Sequence, residues 1–348
     1  MGAASIPPES DPTTGGSVLR LDVHGSTIGI TSASPALLDE VARDFSAFNA
    51  PPGPVVHHLE LVAGEPPWDD LPEVPAAFLT PRNVCYRHDG LSYVDYFGRA
   101  LTIVDRRRGR TVVYGRDPDL LHEIAFLYLL STIGQDLDRR GLHRVHALGV
   151  RRNGRAILLV LPSGGGKSTT ALTLLRRPGF ELLGEDTPLV DRRGWVLPFP
   201  LRIGVTPGAE HGVEPRFVRT MRRMEFEPKV LIDIAAFPGR LGEAAPAGLL
   251  LVGERNLGRV SRIEPIAGRH ALRALVKYMV VGLGVYQGLE FLLERGPIEL
   301  VGKAGTVASR LRNALALIRR ADCRRFVMGR DLDLNQRVLL EFLGDHRD

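Results

Sequence analysis

Residues 161–169 read Leu161-Pro162-Ser163-Gly164-Gly165-Gly166-Lys167-Ser168-Thr169. The apolar run Ala156-Ile157-Leu158-Leu159-Val160 before them predicts a buried strand, and Thr170 to Arg177 after them predicts a helix. A strand, a glycine-rich turn carrying Gly-Lys-Ser and then a helix is the order a phosphate-binding loop requires. Glycines let successive backbone N–H groups turn inward on a polyphosphate, and the following helix presents the positive end of its dipole to the same anion. In such a loop Ser163, Gly164, Gly165, Gly166, Lys167, Ser168 and Thr169 would hold the phosphates of ATP or another nucleoside triphosphate. Lys167 would reach the outer phosphates and the Ser168 hydroxyl would ligate Mg2+. The usual pattern, G-x-x-x-x-G-K-[ST], has glycine where this chain has Leu161, and three consecutive glycines offer another way to build the nest.

Composition bounds the rest. A chain of 348 residues, 44% hydrophobic and 24% charged, supports about two folded domains. Its basic charge is almost all arginine: Lys167, Lys229, Lys277 and Lys303 are the lysines, which makes a lysine inside the loop harder to dismiss as chance. The net charge of +5 is spread along the chain, so no nucleic-acid partner is expected. Cys85 and Cys323 match no metal or redox spacing and fit a reducing cytoplasm. Leu275 to Leu293 is the most hydrophobic long stretch, but Lys277, Gln287 and Glu290 interrupt it, so it predicts a packed helix and no membrane span.

Read in order, residues 1–17 are rich in Pro, Gly, Ser and Thr and predict a disordered lead-in. Residues 18–116 predict an N-terminal β-rich α+β domain, a candidate for substrate recognition. It comprises a hairpin around His24-Gly25-Ser26, a helix opened by Ser34-Pro35, a strand at Val55 to Ala63, an irregular proline-rich stretch from Gly64 to Pro81, and a meander from Val84 to Tyr114. The arginine run at 106–110 reads as a solvated hairpin tip. Residues 117–140 predict a connecting helix capped by Asp117, residues 141–268 the loop-bearing core, and residues 269–348 a helical segment packed on it. Within the core, Arg151-Arg152-Asn153-Gly154 predicts a hairpin that feeds the loop strand with an antiparallel neighbour, so the expected fold is α/β (α+β) with a mixed sheet. His211 to Met224 predicts a basic helical or irregular stretch, and Arg269 to Glu294 one helix.

Phosphoryl transfer also needs metal ligation, a group that takes the acceptor proton, and cationic stabilisation. Gly184-Glu185-Asp186 ends the strand after the loop helix; placed beside the loop strand, it would bring both carboxylates to the phosphate end of the sheet. Asp186 is then the candidate general base and Glu185 a candidate Mg2+ ligand with Ser168. His146 starts the hairpin strand and would contact the acceptor or the transferred group, while Arg202 and Arg255, near strand ends, would supply positive charge.

The hairpin with His146, the loop Ser163-Gly164-Gly165-Gly166-Lys167-Ser168 and the pair Glu185-Asp186 together resemble the HPr kinase/phosphorylase family and its HPr-kinase-like relatives. As in that family, a histidine stands fifteen residues before the first position of the loop motif, His146 before Leu161. Counting Pro178 as a one-residue insertion, the family's catalytic base falls on Asp186 and its first acidic residue on Glu185. The resemblance covers roughly Leu142 to Phe199 and implies a phosphoenolpyruvate-carboxykinase-like fold with a P-loop core. It implies an ATP- and Mg2+-dependent phosphotransferase acting on a serine or threonine of a protein or peptide, as in biosynthetic peptide tailoring, with catalytic residues Asp186, Glu185, His146 and Lys167. The family's Leu-Glu-[Ile/Val]-Arg-Gly-Leu-Gly signature is missing, which argues against HPr itself as acceptor. Two further readings stand beside the kinase: a nucleotide-binding regulatory or scaffold protein without transfer, and a small-molecule kinase. A homo-oligomer is compatible with each.

Overall fold

The computed structural model describes residues 17–161, 164–208, 210, 212–222, 227–282 and 298–345. The lead-in at 1–16, Ser163 of the glycine turn, His211, and the part of the expected long helix from 283 to 294 lie outside them. The chain is mixed α/β and divides into two compact units. One holds the chain up to Asp136 with Glu214–Asp233; the other holds Leu137–Val213, Ile234–Tyr286 and Leu300–Asp348.

The first unit contains strands β1 (Ser17–Val23) and β2 (Ser26–Ser32), helix α1 (Pro35–Asp44), and strands β3 (Asn49–Ala50) and β4 (His57–Ala63). Strands β5 (Ala76–Leu79), β6 (Val84–His88), β7 (Leu91–Asp95), β8 (Ala100–Asp105) and β9 (Arg110–Gly115) follow, and then helix α2 (Pro118–Arg139), within which the unit boundary falls. The nine strands form one sheet in the order β3-β1-β2-β4-β9-β8-β7-β6-β5. The expected hairpin and meander are present, and β4 joins them by pairing in parallel with both β2 and β9. Ser34 accepts a hydrogen bond from Leu37 N and caps α1, and Asp117 Oδ1 accepts from Asp119 N and Leu120 N at the start of α2. All of β8 is buried, because α2 brings Leu121 and Tyr128 to one face of this sheet while Trp68 and Leu71 pack on the other. The stretch from Gly64 to Pro81 is not wholly irregular as expected: it contributes β5, an edge strand where nearby prolines interrupt no central ladder.

In the second unit the chain forms β10 (His143–Arg144), β11 (Leu148–Arg152), β12 (Arg155–Val160), α3 (Lys167–Leu175), β13 (Glu181–Gly184), β14 (Leu189–Val190), β15 (Trp195–Leu197) and β16 (Ile203–Val205). Strands β17 (Val218–Met221) and β18 (Lys229–Ile232) form a hairpin in the 214–233 segment of the first unit, so part of the stretch expected to be helical or irregular is a strand. The second unit resumes with β19 (Ala245–Arg255), β20 (Arg262–Pro265), α4 (Gly268–Leu275), α5 (Ile298–Arg320), β21 (Asp322–Met328) and α6 (Leu332–Asp345). Its sheet runs β10-β14-β15-β19-β12-β11-β13, with β21 also on β19 and β20 on β21. It is mixed, as the hairpin at Asn153-Gly154 predicts: β12 is antiparallel to β11 and parallel to β19. Ala156, Leu158 and Val160 of β12 and Leu250 and Val252 of β19 join one buried cluster with Ala271 and Leu275 of α4 and Ala314 and Leu317 of α5. Helix α3 packs on β11 and β13. After α4 the chain makes a π-helical turn at Val276–Val280 in place of a continuous α-helix. No helix among the described residues is long and apolar enough to cross a membrane.

One charged cluster holds the 214–233 segment in the first unit. Arg219 donates Nε to Asp233 Oδ1 at 3.1 Å and its other nitrogens to Glu40 and to fully buried Asp44, while Arg43 Nε reaches Asp233 Oδ2 at 2.7 Å. His122 Nε2 lies 2.8 Å from Asp44 Oδ2; burial and then the Arg219 charge bring its pKa down to about 4, so near neutral pH the ring is uncharged and donates to Asp44. Removing the guanidinium would leave two buried carboxylates with Arg43 and a neutral His122 to offset them. Arg219→Met is therefore expected to lower the unfolding free energy by about 3–5 kcal/mol in urea titration, well beyond the effect of an exposed arginine.

Candidate functional site

The candidate residues gather where β12 and β13 end and where β11 and α3 begin. Gly164 and Gly166 both have positive φ, +67° and +84°, so the turn from β12 into α3 depends on residues without a Cβ at these two positions. Gly166 is the N-cap of α3, and the first-turn amides of a helix have no acceptor within it. Leu161, which stands where the usual motif has glycine, is fully buried against Gly253 of β19: a Cβ built on Gly253 would lie 2.5 Å from Leu161 Cδ2. The bulk added at one strand is matched by the glycine on its neighbour.

Strand β13 does not lie beside β12 as expected. One edge of β12 is taken by β11 through the hairpin and the other by β19, so β13 pairs with the remaining edge of β11. Two antiparallel steps make β13 run the same way as β12, and Glu185 and Asp186 still emerge at the end of the sheet where the glycine turn lies. The turn after β13 folds back over β11: Ala147 N donates to Asp186 O at 3.0 Å, and Val145 N to Pro188 O at 3.1 Å. Gly149 and Gly184 make room for it, since a Cβ on Gly149 would meet Pro188 at 2.9 Å and one on Gly184 would meet Pro188 N at 3.0 Å.

These constraints bring five of the expected side chains together. Lys167 Nζ lies 3.0 Å from His146 Nε2 and 3.7 Å from Asp186 Oδ1. An ammonium only donates, so Nε2 accepts and, in the neutral ring, the proton is on Nδ1. Nδ1 is 3.0 Å from Asp186 Oδ1 but is not aligned as a hydrogen bond, which leaves it a buried ring nitrogen close to a carboxylate. Lys167 and His146 are largely buried, with side chains 9% and 13% exposed, whereas Asp186 is 34% exposed and accessible to an incoming molecule. Next to them Ser168 Oγ donates to Glu185 Oε1 at 2.5 Å.

Thr169 is exposed on the first turn of α3, and Gly165 lies between the two left-handed glycines. Arg255, at the end of β19, donates to Gly164 O, while Arg202 lies ahead of β16. The sequence did not point to the π-helical turn as part of the site. Tyr278 O accepts from His146 N at 3.0 Å, the two rings are 6.1 Å apart, and Lys277 Nζ lies 4.8 Å from the Tyr278 ring centre. The widened turn, in which Val281 N bonds Val276 O, has no local sequence mark.

No known protein family and no curated protein matches the chain.

Gly149→Ala tests whether the acidic turn is held by close packing. Pro188 is rigid, so the added methyl is expected to cost about 1–3 kcal/mol in chemical unfolding and to displace the 185–188 turn. Amide resonances of Glu185 and Asp186 should shift more than those of the first unit.

Proposed function

We propose that this chain is a Mg2+-dependent kinase of the HPr-kinase-like type, transferring the outer phosphoryl group of ATP or a related nucleoside triphosphate to a serine or threonine hydroxyl of a protein or peptide. The observation that carries this reading is the convergence of Lys167, His146 and Asp186 within 3.0–3.7 Å beside a turn built on two left-handed glycines. A phosphate loop needs such a turn at a helix N-terminus, and transfer needs a cation and a carboxylate at its outer end.

In this reading the amides at the start of α3 bind the phosphates. Lys167, held by His146, presents its ammonium to the outer ones. Ser168 Oγ and Glu185 Oε1, adjacent at 2.5 Å, fit a cation that takes one or two protein oxygens and completes its shell with phosphate and water. Bound there, Mg2+ would neutralise charge on the phosphates as they separate. Asp186, more exposed than Lys167 or His146, takes the proton of the acceptor hydroxyl while His146 holds its position relative to Lys167. Protein or peptide acceptors are favoured over small molecules by the family resemblance, which also favours a cytoplasmic setting.

Two variants separate binding from transfer. Lys167→Ala should abolish or greatly weaken MgATP binding measured by fluorescence with a labelled nucleotide; undiminished binding would overturn the loop assignment. Asp186→Asn should bind nucleotide normally yet label acceptors from radiolabelled ATP and cell extract about a hundredfold more slowly, the scale of a general-base contribution. Unchanged labelling would remove Asp186 from that role.

A further inference from the structure

A second group of reactive side chains lies where α2 ends and β10 begins. Gly141 closes the helix: its φ of +73° lets Leu142 N reach Leu137 O at 2.9 Å and Gly141 N reach Asp138 O at 3.1 Å. Asp138 is thereby left in the last turn of α2, and His143 follows two residues beyond Gly141 at the start of β10. Helix α5 lies against this corner. Asn313 Nδ2 donates to Gly141 O at 2.8 Å and to the carbonyl of Val190, the β14 partner of His143, at 2.9 Å. Ser309, one turn before Asn313 on the same side of α5, comes to the imidazole.

The three side chains stand in series. Asp138 Oδ1 lies 2.8 Å from His143 Nδ1, and His143 Nε2 lies 2.8 Å from Ser309 Oγ. Burial alone would raise the Asp138 carboxyl, but hydrogen bonds from His143 and from Arg310, which reaches Oδ2 at 2.5 Å, outweigh it and hold the group below the usual carboxylate range. An ionised carboxylate only accepts, so in the neutral ring the proton is on Nδ1 and Nε2 accepts from the Ser309 hydroxyl. This is the order of carboxylate, imidazole and hydroxyl that activates a serine.

The surroundings suit a reaction at Oγ. His143 is fully buried, whereas Ser309 is half-buried, so the hydroxyl is the end of the series that meets solvent. A Cβ built on Gly141 would stand 3.9 Å from Oγ, and the absent side chain keeps that approach open. Arg312 Nη2 donates to Ser309 Oγ at 3.3 Å. Amides in the interior of α5 are taken up by the helix itself, so this guanidinium is the donor placed to meet an oxyanion forming beside Oγ.

We propose that Ser309 is the nucleophile of a second active site that cleaves carboxylic esters, with His143 as its base and Asp138 as the positioning residue. Oγ attacks the ester carbonyl and gives its proton to His143 Nε2, while Arg312 faces the oxyanion. The bond to the leaving alkoxide then breaks as Nε2 returns the proton to it, leaving an acyl-serine. Water attacks the acyl carbon, passes a proton to Nε2 and from there to Oγ, and releases the carboxylic acid. The site shares no residue with the glycine turn and does not rest on the phosphate-loop reading.

The test treats the full chain with a fluorophosphonate probe, whose phosphorus is attacked by an activated serine with loss of fluoride, and maps the label by mass spectrometry. Ser309 should carry it, and Ser309→Ala, which removes one half-buried hydroxyl and should melt as the unmodified chain does, should lose it. No labelling of the unmodified chain, or labelling only at other residues, overturns the proposal and leaves the series a structural one. With p-nitrophenyl acetate as the ester, His143→Gln should lower kcat about a hundredfold or more, the scale of a general-base contribution. Asp138→Asn should lower kcat while leaving KM within about twofold, because it disturbs the tautomer and not the binding of the ester. Both are compared after thermal melts establish that they fold, and an unchanged kcat in either removes that residue from the assignment. If neither folds, the labelling at Ser309 decides alone.

Discussion

A strand has two edges, and the arrangement of the second unit follows from how β12 uses both. The Asn153-Gly154 turn, with φ of +48° and +74°, folds β11 back onto one edge. The apolar β19 takes the other edge in parallel. The chain returning from α3 therefore meets no free edge on β12 and pairs with β11 instead, bringing Glu185 and Asp186 to the glycine turn from the side where His146 already stands. Lys167 reaches that histidine from the first turn of α3, so one pairing decision brings together an ammonium, an imidazole and a carboxylate.

Two features keep the group close. Gly149 and Gly184 let the acidic turn lie on β11 at distances that a side chain would prevent, and Tyr278 O anchors the backbone of His146 from the π-helical turn. The same exchange of bulk explains Leu161. A leucine at the first loop position fits because Gly253 on β19 leaves space for it. The departure from the usual motif is thus a packing solution between neighbouring strands.

Much of this was legible from the sequence because it depends on local rules. The Asn-Gly hairpin, the alternating meander, the capped helices and the strand–glycine–helix order each depend on a few adjacent residues. The spacing of His146, Lys167, Ser168, Glu185 and Asp186 predicts one cluster, and these side chains do meet. What was not legible depends on partners distant in sequence. Strand β5 exists because a sheet edge tolerates prolines, and β17 and β18 because their segment groups with the first unit, where Arg219 finds Asp44 and Asp233. The place of β13 depends on competition for edges, and the π-helical turn interrupts a stretch whose apolar spacing alone reads as one helix.

The central claim is that the turn at 164–169 binds a polyphosphate. Hydrogen exchange with and without MgATP tests it most directly, since it reports on the backbone amides that would make the contact. Slower exchange at Gly164 to Thr169 on adding nucleotide, with a smaller change at Glu185 and Asp186 and none in the β1–β9 sheet, is the predicted result. Nucleotide-induced protection confined to other segments, or none at saturating MgATP, would contradict it.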